Sequence, residues 1–442
     1  MKNININLSK DSVYTEPMHN ILGINNIPRI HSYAINLRET EEFSKFNFKY
    51  IRFHDAPLEN PGQQLVDISR IFPLFHADET KAENYFFLQT DDYMRSIENS
   101  DAEIDFRVGE SIDHSENGRL IGCPPDIDKW AKICRNIIAH YKIGEMDGMH
   151  LNIKRVSVLE EPEFHRLFGG SAEDYSEMFC KLYKLLKKDF PDIKLVGPNV
   201  GYNNKGLTFF ETFLKICKKK GVTPDYLSFT RYARSVPELV DTINEHKAIA
   251  DKYGFGDVKY VFSEYHYGVV SWERVRNWSE TGFRSTESAA YSVSGLIALM
   301  NTKLVDVVYH YAWAGGIWSL FDVYAEVQDP MPIYYGLLYF QKLGAECCER
   351  LYCENNNDND AHILCGKTED GRTRLLISCL DCEDTSFSIS SVNARSAKLT
   401  IISDNNGDHQ NCVSEKLIES NNGIFKFEHN SKHGIYYLEI IS

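Results

Sequence analysis

From about residue 20 to residue 342 the chain alternates short apolar, β-branched runs with amphipathic stretches. That alternation restricts the fold more than any other feature, because parallel strands joined by helices produce it. The runs that read as strands are Ile21–Ile24, Phe48–Asp55, Glu103–Glu110, Val156–Val158, Ile193–Asn199, Pro224–Thr230, Val258–Tyr267 and Val305–Trp313. Between them, Trp130, Ile133, Cys134, Ile137, Ile138 and Tyr141 recur at three- and four-residue spacing, one buried helix face opened by Pro124-Pro125-Asp126. Ser171-Ala172-Glu173-Asp174 has the form of a capping box, Thr90-Asp91-Asp92 that of an N-cap cluster, and an Ala- and Ser-rich helix is expected from about Glu287 to Met300. Strands in this number with intervening helices predict a closed (β/α)₈ TIM barrel rather than an open sheet.

Past residue 344 the texture changes to period-2 segments, such as Ala361–Cys365, Thr373–Ser378 and Ala397–Ile402, separated by Asp-Gly and Asn-Asn-Gly turns. This predicts an accessory C-terminal antiparallel β-sandwich. The alternating start of the chain, Met1 to Leu8, is expected to return to it as an added strand. The predicted division is residues 1–20 for that strand, 21–343 for the barrel and 344–442 for the sandwich. The polar run 354–360 reads as a surface loop. Length permits this plan, since 442 residues with 43% hydrophobic side chains hold a barrel and one further domain.

A net charge of −15 argues against nucleic acid or an anionic membrane as partner, since both reward clustered Lys and Arg. No apolar run reaches the roughly 20 residues that span a bilayer. The first residues lack the apolar core of a secretory signal. The 11 cysteines are scattered without a framework and read as reduced thiols, so a cytoplasmic protein is expected. Cys379-Leu380-Asp381-Cys382 stands without the two further ligands of a zinc site, and neither a metal nor another cofactor is expected.

In such a barrel the active site lies at the carboxyl ends of the strands. The polar residues there are His54 after the second strand, Glu160 and Glu161 after the fourth, Tyr232 after the sixth, Glu264 and His266 after the seventh and Trp313 after the eighth. Paired carboxylates with aromatic residues and no phosphate loop suit glycoside hydrolysis, which makes a carbohydrate the expected partner. His54, Glu160, Tyr232, His266 and Trp313 are candidate sugar contacts, with Trp318 and Trp272 as secondary stacking candidates.

Six segments in order carry a family resemblance. Ile51-Arg52-Phe53-His54, Val158-Leu159-Glu160-Glu161-Pro162 and Phe262-Ser263-Glu264-Tyr265 resemble the I-R-F-H, W-N-E-P and T-E-F segments of glycoside hydrolase family 39, the β-xylosidase and α-L-iduronidase group. Leu195-Val196-Gly197-Pro198, Ser228-Phe229-Thr230-Arg231-Tyr232 and Tyr311-Ala312-Trp313 are similar to its V-G-G-P, S-F-H-x-Y and S-Y-W. The resemblance spans residues 23–344. It implies a retaining glycosidase, with Glu161 as general acid/base, Glu264 as nucleophile, Tyr232 as a hydrogen-bond partner of the nucleophile, and a pentoside such as a β-xyloside as the favoured substrate. Glu160 stands where the family has Asn and Thr230 where it usually has His. An ionised Glu160 only accepts hydrogen bonds, so a contact to the sugar 2-hydroxyl changes polarity or is lost. A carbohydrate-binding scaffold that has lost activity is the alternative reading, and a homo-oligomer is left open.

Overall fold

The computed structural model of the chain describes residues 2–8, 13–27, 37–54, 65–111, 120–268, 285–313, 318–324, 327–355, 361–382, 384–391, 394–403 and 411–441. Trp272 and most of the polar run 354–360 lie outside them. Strands β1 (Lys2–Asn7) and β2 (Val13–Pro17) precede the barrel. Its strands are β3 (Leu22–Asn25), β4 (Tyr50–Phe53), β5 (Glu103–Val108), β6 (Ile153–Val158), β7 (Lys194–Gly201), β8 (Tyr226–Ala233), β9 (Tyr260–Tyr267) and β10 (Val305–His310). They close in the order β10-β3-β4-β5-β6-β7-β8-β9, with every neighbour parallel.

The barrel strands are not uniformly apolar. Arg52 pairs in register with Asp105, and Asp105 with Arg155, so three ionisable residues run side by side across β4, β5 and β6. All three are buried. Above that row Arg52 reaches the carboxyl end of the barrel. Below it Arg155 lies over the rings of Tyr50 and Tyr226, at 4.8 and 5.7 Å from their centroids.

The helices follow the sequence pattern with one exception. Asp126 caps helix Ile127–Ile143 through the Lys129 N–H at 3.0 Å, and Ser171 with Asp174 forms the expected capping box of helix Ala172–Asp189. The exception is Thr90-Asp91-Asp92, which lies inside helix Leu88–Met94 instead of capping it. Asp91 is drawn to the neighbouring helix, where its Oδ1 accepts from Tyr141 and bonds the His140 ring, each at 3.0 Å.

The carboxyl-terminal strands form a sandwich whose pairs are antiparallel except one. That exception is β1, which runs parallel to Thr385–Ser390 while pairing antiparallel with Cys347–Asn355. The Ala- and Ser-rich helix, Thr286–Thr302, is buried almost all round because it lies between barrel and sandwich. Small side chains allow that approach. Ser378 of the sandwich donates to the Ala290 carbonyl at 2.8 Å and accepts from Ser294 at 3.0 Å. No helix among the described residues is long and apolar enough to cross a membrane.

Candidate active site

The end of β6 is irregular in a way that organises the site. The strand stops at Val158, and Leu159 and Glu161 take left-handed φ values of 53° and 42°. Such values are uncommon for residues with a side chain and persist where the surroundings fix them. Asn199 supplies the fixing: its Nδ2 donates to the carbonyls of Val158 at 3.2 Å and Leu159 at 2.8 Å, and its own carbonyl accepts from the Glu161 N–H at 2.9 Å. Gly109 gives Leu159 room, since a Cβ there would stand 2.4 Å from Leu159 Cδ2. An extended strand would send Glu160 and Glu161 to opposite faces. With the left-handed turns, Glu160 meets Arg52 and Ser263 while Glu161 meets Thr230, and the charge of Glu264 acts on both.

Glu160 points down into the barrel. Its Oε2 pairs with Arg52 Nη2 and its Oε1 accepts from Ser263 Oγ at 3.0 Å. Arg52 is completed by Asn25 Oδ1 at 3.2 Å, Ser263 O at 3.3 Å and Ser157 Oγ at 3.3 Å. Burial disfavours the Arg52 charge, but Glu160 and Asp105 outweigh it and raise its pKa. Burial also pushes the Glu160 carboxyl up, against the pull of Arg52 and His54. Both Glu160 oxygens are thus held by protein donors.

Glu264 sits within strand β9, directly after a register shift in which Ser263 is the extra residue, and is 6% exposed. His54 Nε2 contacts its Oε1, and Tyr232 donates to Oε2 at 2.5 Å. A carboxylate only accepts, so Nε2 of His54 carries the hydrogen. Burial alone would raise this carboxyl. The His54 charge and hydrogen bond, with Tyr232 and Arg52, reverse that and hold Glu264 below the usual range, hence ionised at neutral pH.

Glu161 has the opposite surroundings. Burial pushes its carboxyl well up, and the charges of Glu264, Glu163 and Glu160 push the same way, opposed by one hydrogen bond from Thr230 Oγ1 at 2.8 Å. Thr230 therefore serves the carboxyl directly. Two carboxyls on facing strand ends with environments that drive their pKa values apart form the arrangement needed for one acid and one anion.

The other sequence candidates fall elsewhere. His266 is fully buried, its Nδ1 on the Tyr267 carbonyl at 2.5 Å, and burial lowers its pKa to about 4. It supports Trp318, which lies edge-on to it at 5.2 Å and at the same distance from Tyr232. Trp313 is 0% exposed, ringed edge-on by Phe43, Phe46 and Phe48 and packed on Phe321 and Tyr334. It is a core residue: β10 stops at His310, and the Trp313 N–H donates to the Asn25 carbonyl at 3.3 Å. Arg52, Ser263, Asn199 and Glu163 were not singled out as site residues. The readable signal was Arg52, a cation at the centre of an apolar strand. His54, Glu160 and Glu264 bring ligand atoms within 4.8 Å of one another, close enough for one cation. Glu160 Oε2 already holds the Arg52 guanidinium, which would repel such an ion, and no metal role is assigned to them.

No family model matches the sequence, and a search of curated proteins finds no match. Solved structures do match. A glucosidase from Croceicoccus marinus is 19% identical with a TM-score of 0.79, the alignment covering 100% of this chain and 99% of that one. A family-39 β-xylosidase from Caulobacter crescentus is 14% identical with a TM-score of 0.70 and full coverage of both chains, 100% each. The chain has the fold of the family-39 glycosidases. That fold is shared more widely, since a family 51 α-L-arabinofuranosidase from Bifidobacterium longum, 11% identical and 100% covered on both sides, has a TM-score of 0.71. At these identities the family-39-like likeness concerns architecture, and the barrel with its sandwich is common to all three matches.

Proposed function

We propose that the protein is a retaining glycoside hydrolase of the family-39 type, acting on the terminal sugar of small glycosides or oligosaccharides. The observation that carries this reading is the opposed environment of two strand-end glutamates, Glu264 held ionised by His54 and Tyr232, and Glu161 held protonated by burial and neighbouring carboxylates. In the first step Glu264 attacks the anomeric carbon as Glu161 gives its proton to the departing glycosidic oxygen. The bonds from His54 and Tyr232 keep one Glu264 rotamer while the carboxylate loses its charge to the new ester. In the second step Glu161, now ionised, takes a proton from water, whose oxygen displaces Glu264 and returns the same anomeric configuration.

The motif resemblance favours a pentoside, in keeping with the β-xylosidase and the arabinofuranosidase among the solved neighbours, while the glucosidase speaks for a hexoside. A carbohydrate-binding scaffold is the second reading. It draws support from Glu160, whose oxygens are committed to Arg52 and Ser263, which leaves the expected contact to a sugar 2-hydroxyl unfilled. A panel of aryl glycosides separates the two. Turnover of an aryl pentoside whose first-formed product, followed by NMR, keeps the substrate's anomeric configuration supports the enzyme. Binding without turnover supports the scaffold, and an inverted first product excludes the double displacement.

A further inference from the structure

The loop after β6 carries a carboxylate that the proposed reaction does not use. Glu160 is bound to Arg52 and Glu161 is the acid/base of that reading, which leaves Glu163. Its Oε1 accepts from the Gly201 N–H at 2.8 Å and from Asn203 Nδ2 at 3.1 Å, and its Oε2 is buried with no hydrogen-bond partner among the described residues. Asn203 is itself fixed, since its Oδ1 caps helix Asn204–Lys220 through the N–H groups of Lys205 and Gly206. Gly201 marks how close the two carboxyls come. A Cβ on it would stand 2.8 Å from Glu163 Oε1 and 3.1 Å from Glu161 Oε1, so the bare glycine is the space both approach.

We propose that Glu163 is a positioning residue for Glu161, its carboxyl fixed across Gly201 so that its charge keeps the proton on the acid. This rests on the assignment of Glu161 as acid/base. The groups that face Glu161 are Glu264 from β9, Thr230 and Tyr232 from β8, and Glu160 and Glu163 from its own loop. Glu264 loses its charge when the glycosyl ester forms, and Glu160 is offset by Arg52. Glu163 is the carboxylate whose charge neither the reaction nor an arginine removes. Mostly buried, its own pKa is raised to about 7, chiefly by desolvation. It therefore exerts its charge where pH rises past neutral, the range in which Glu161 would otherwise lose its proton.

The sign follows directly. A like charge disfavours ionisation, so removing it lowers the pKa of Glu161 and brings the alkaline limb of kcat/KM to lower pH. Glu163→Gln keeps the shape and the acceptor for the Oε1 hydrogen bonds and removes the charge, with an amide N–H₂ in place of Oε2. Its alkaline limb should fall by about one pH unit, roughly a tenfold loss of kcat/KM at a fixed pH on that limb, and Glu163→Asp should recover part of the shift. An unmoved limb in Glu163→Gln overturns the proposal; should that variant not fold, a Glu161 pKa that is the same in Glu163→Ala as in wild type, read by carboxyl infrared titration, overturns it. Azide tests the underlying assignment separately. Rescue of Glu161→Gln on an activated aryl glycoside supports Glu161 as acid/base, whereas rescue of Glu163→Gln in its place makes Glu163 the acid and overturns both readings.

Discussion

The ends of β6 and β9 each deliver a glutamate to the same end of the barrel, and the chain treats them in opposite ways. At β9 the backbone stays extended and the charge is stabilised by donors brought from β4 and β8, His54 and Tyr232. At β6 the backbone breaks into left-handed turns that Asn199 holds, and Glu161 is left among carboxylates with one hydroxyl donor. The same residue type has its pKa held down in one place and pushed up in the other. Donors and neighbouring charges decide this, not the side chain.

The largest effect is expected at β9, where Glu264→Gln removes the charge that His54 and Tyr232 are arranged to hold. Loss of a nucleophile costs on the order of 10⁴-fold or more in kcat, and stability should change little. Turnover within tenfold of wild type in this variant would end the assignment. The next effect is on stability and lies beneath β6. Arg52→Met leaves the buried Glu160 charge without its partner, and breaking such a pair costs about 3–5 kcal/mol. Thermal unfolding should show that loss, and Arg52→Met combined with Glu160→Met should recover much of it. Equal stability of wild type and Arg52→Met would mean that Glu160 is not ionised in the folded protein. The smallest effect is the shift of the alkaline limb in Glu163→Gln, which sharpens the contrast by showing how much of it one carboxylate supplies.

The barrel was legible because strand and helix periods differ and repeat, and the ends of the strands marked Glu161, Glu264, His54 and Tyr232 as neighbours in the fold. Local rules failed where tertiary contacts overrode them. Strand alternation does not carry past Val158, because hydrogen bonds from Asn199, some forty residues later in the chain, hold the left-handed turns that set Glu160 and Glu161. Position after the eighth strand suggested that Trp313 faces the barrel mouth, and five aromatic partners, Phe43, Phe46, Phe48, Phe321 and Tyr334, enclose it instead. Glu163 looked like one more polar loop residue. Its meaning depends on Gly201, 38 residues on, which no local pattern links to it.

The most direct measurement is covalent trapping. A 2-fluoro glycoside of the best substrate slows release of the intermediate, and mass spectrometry of the digested protein then locates the adduct. The account predicts one sugar per chain, attached to Glu264 in the peptide that contains residues 260–267. A sugar attached to Glu161 or Glu163, or inactivation of none of the protein by a glycoside it turns over, would contradict it.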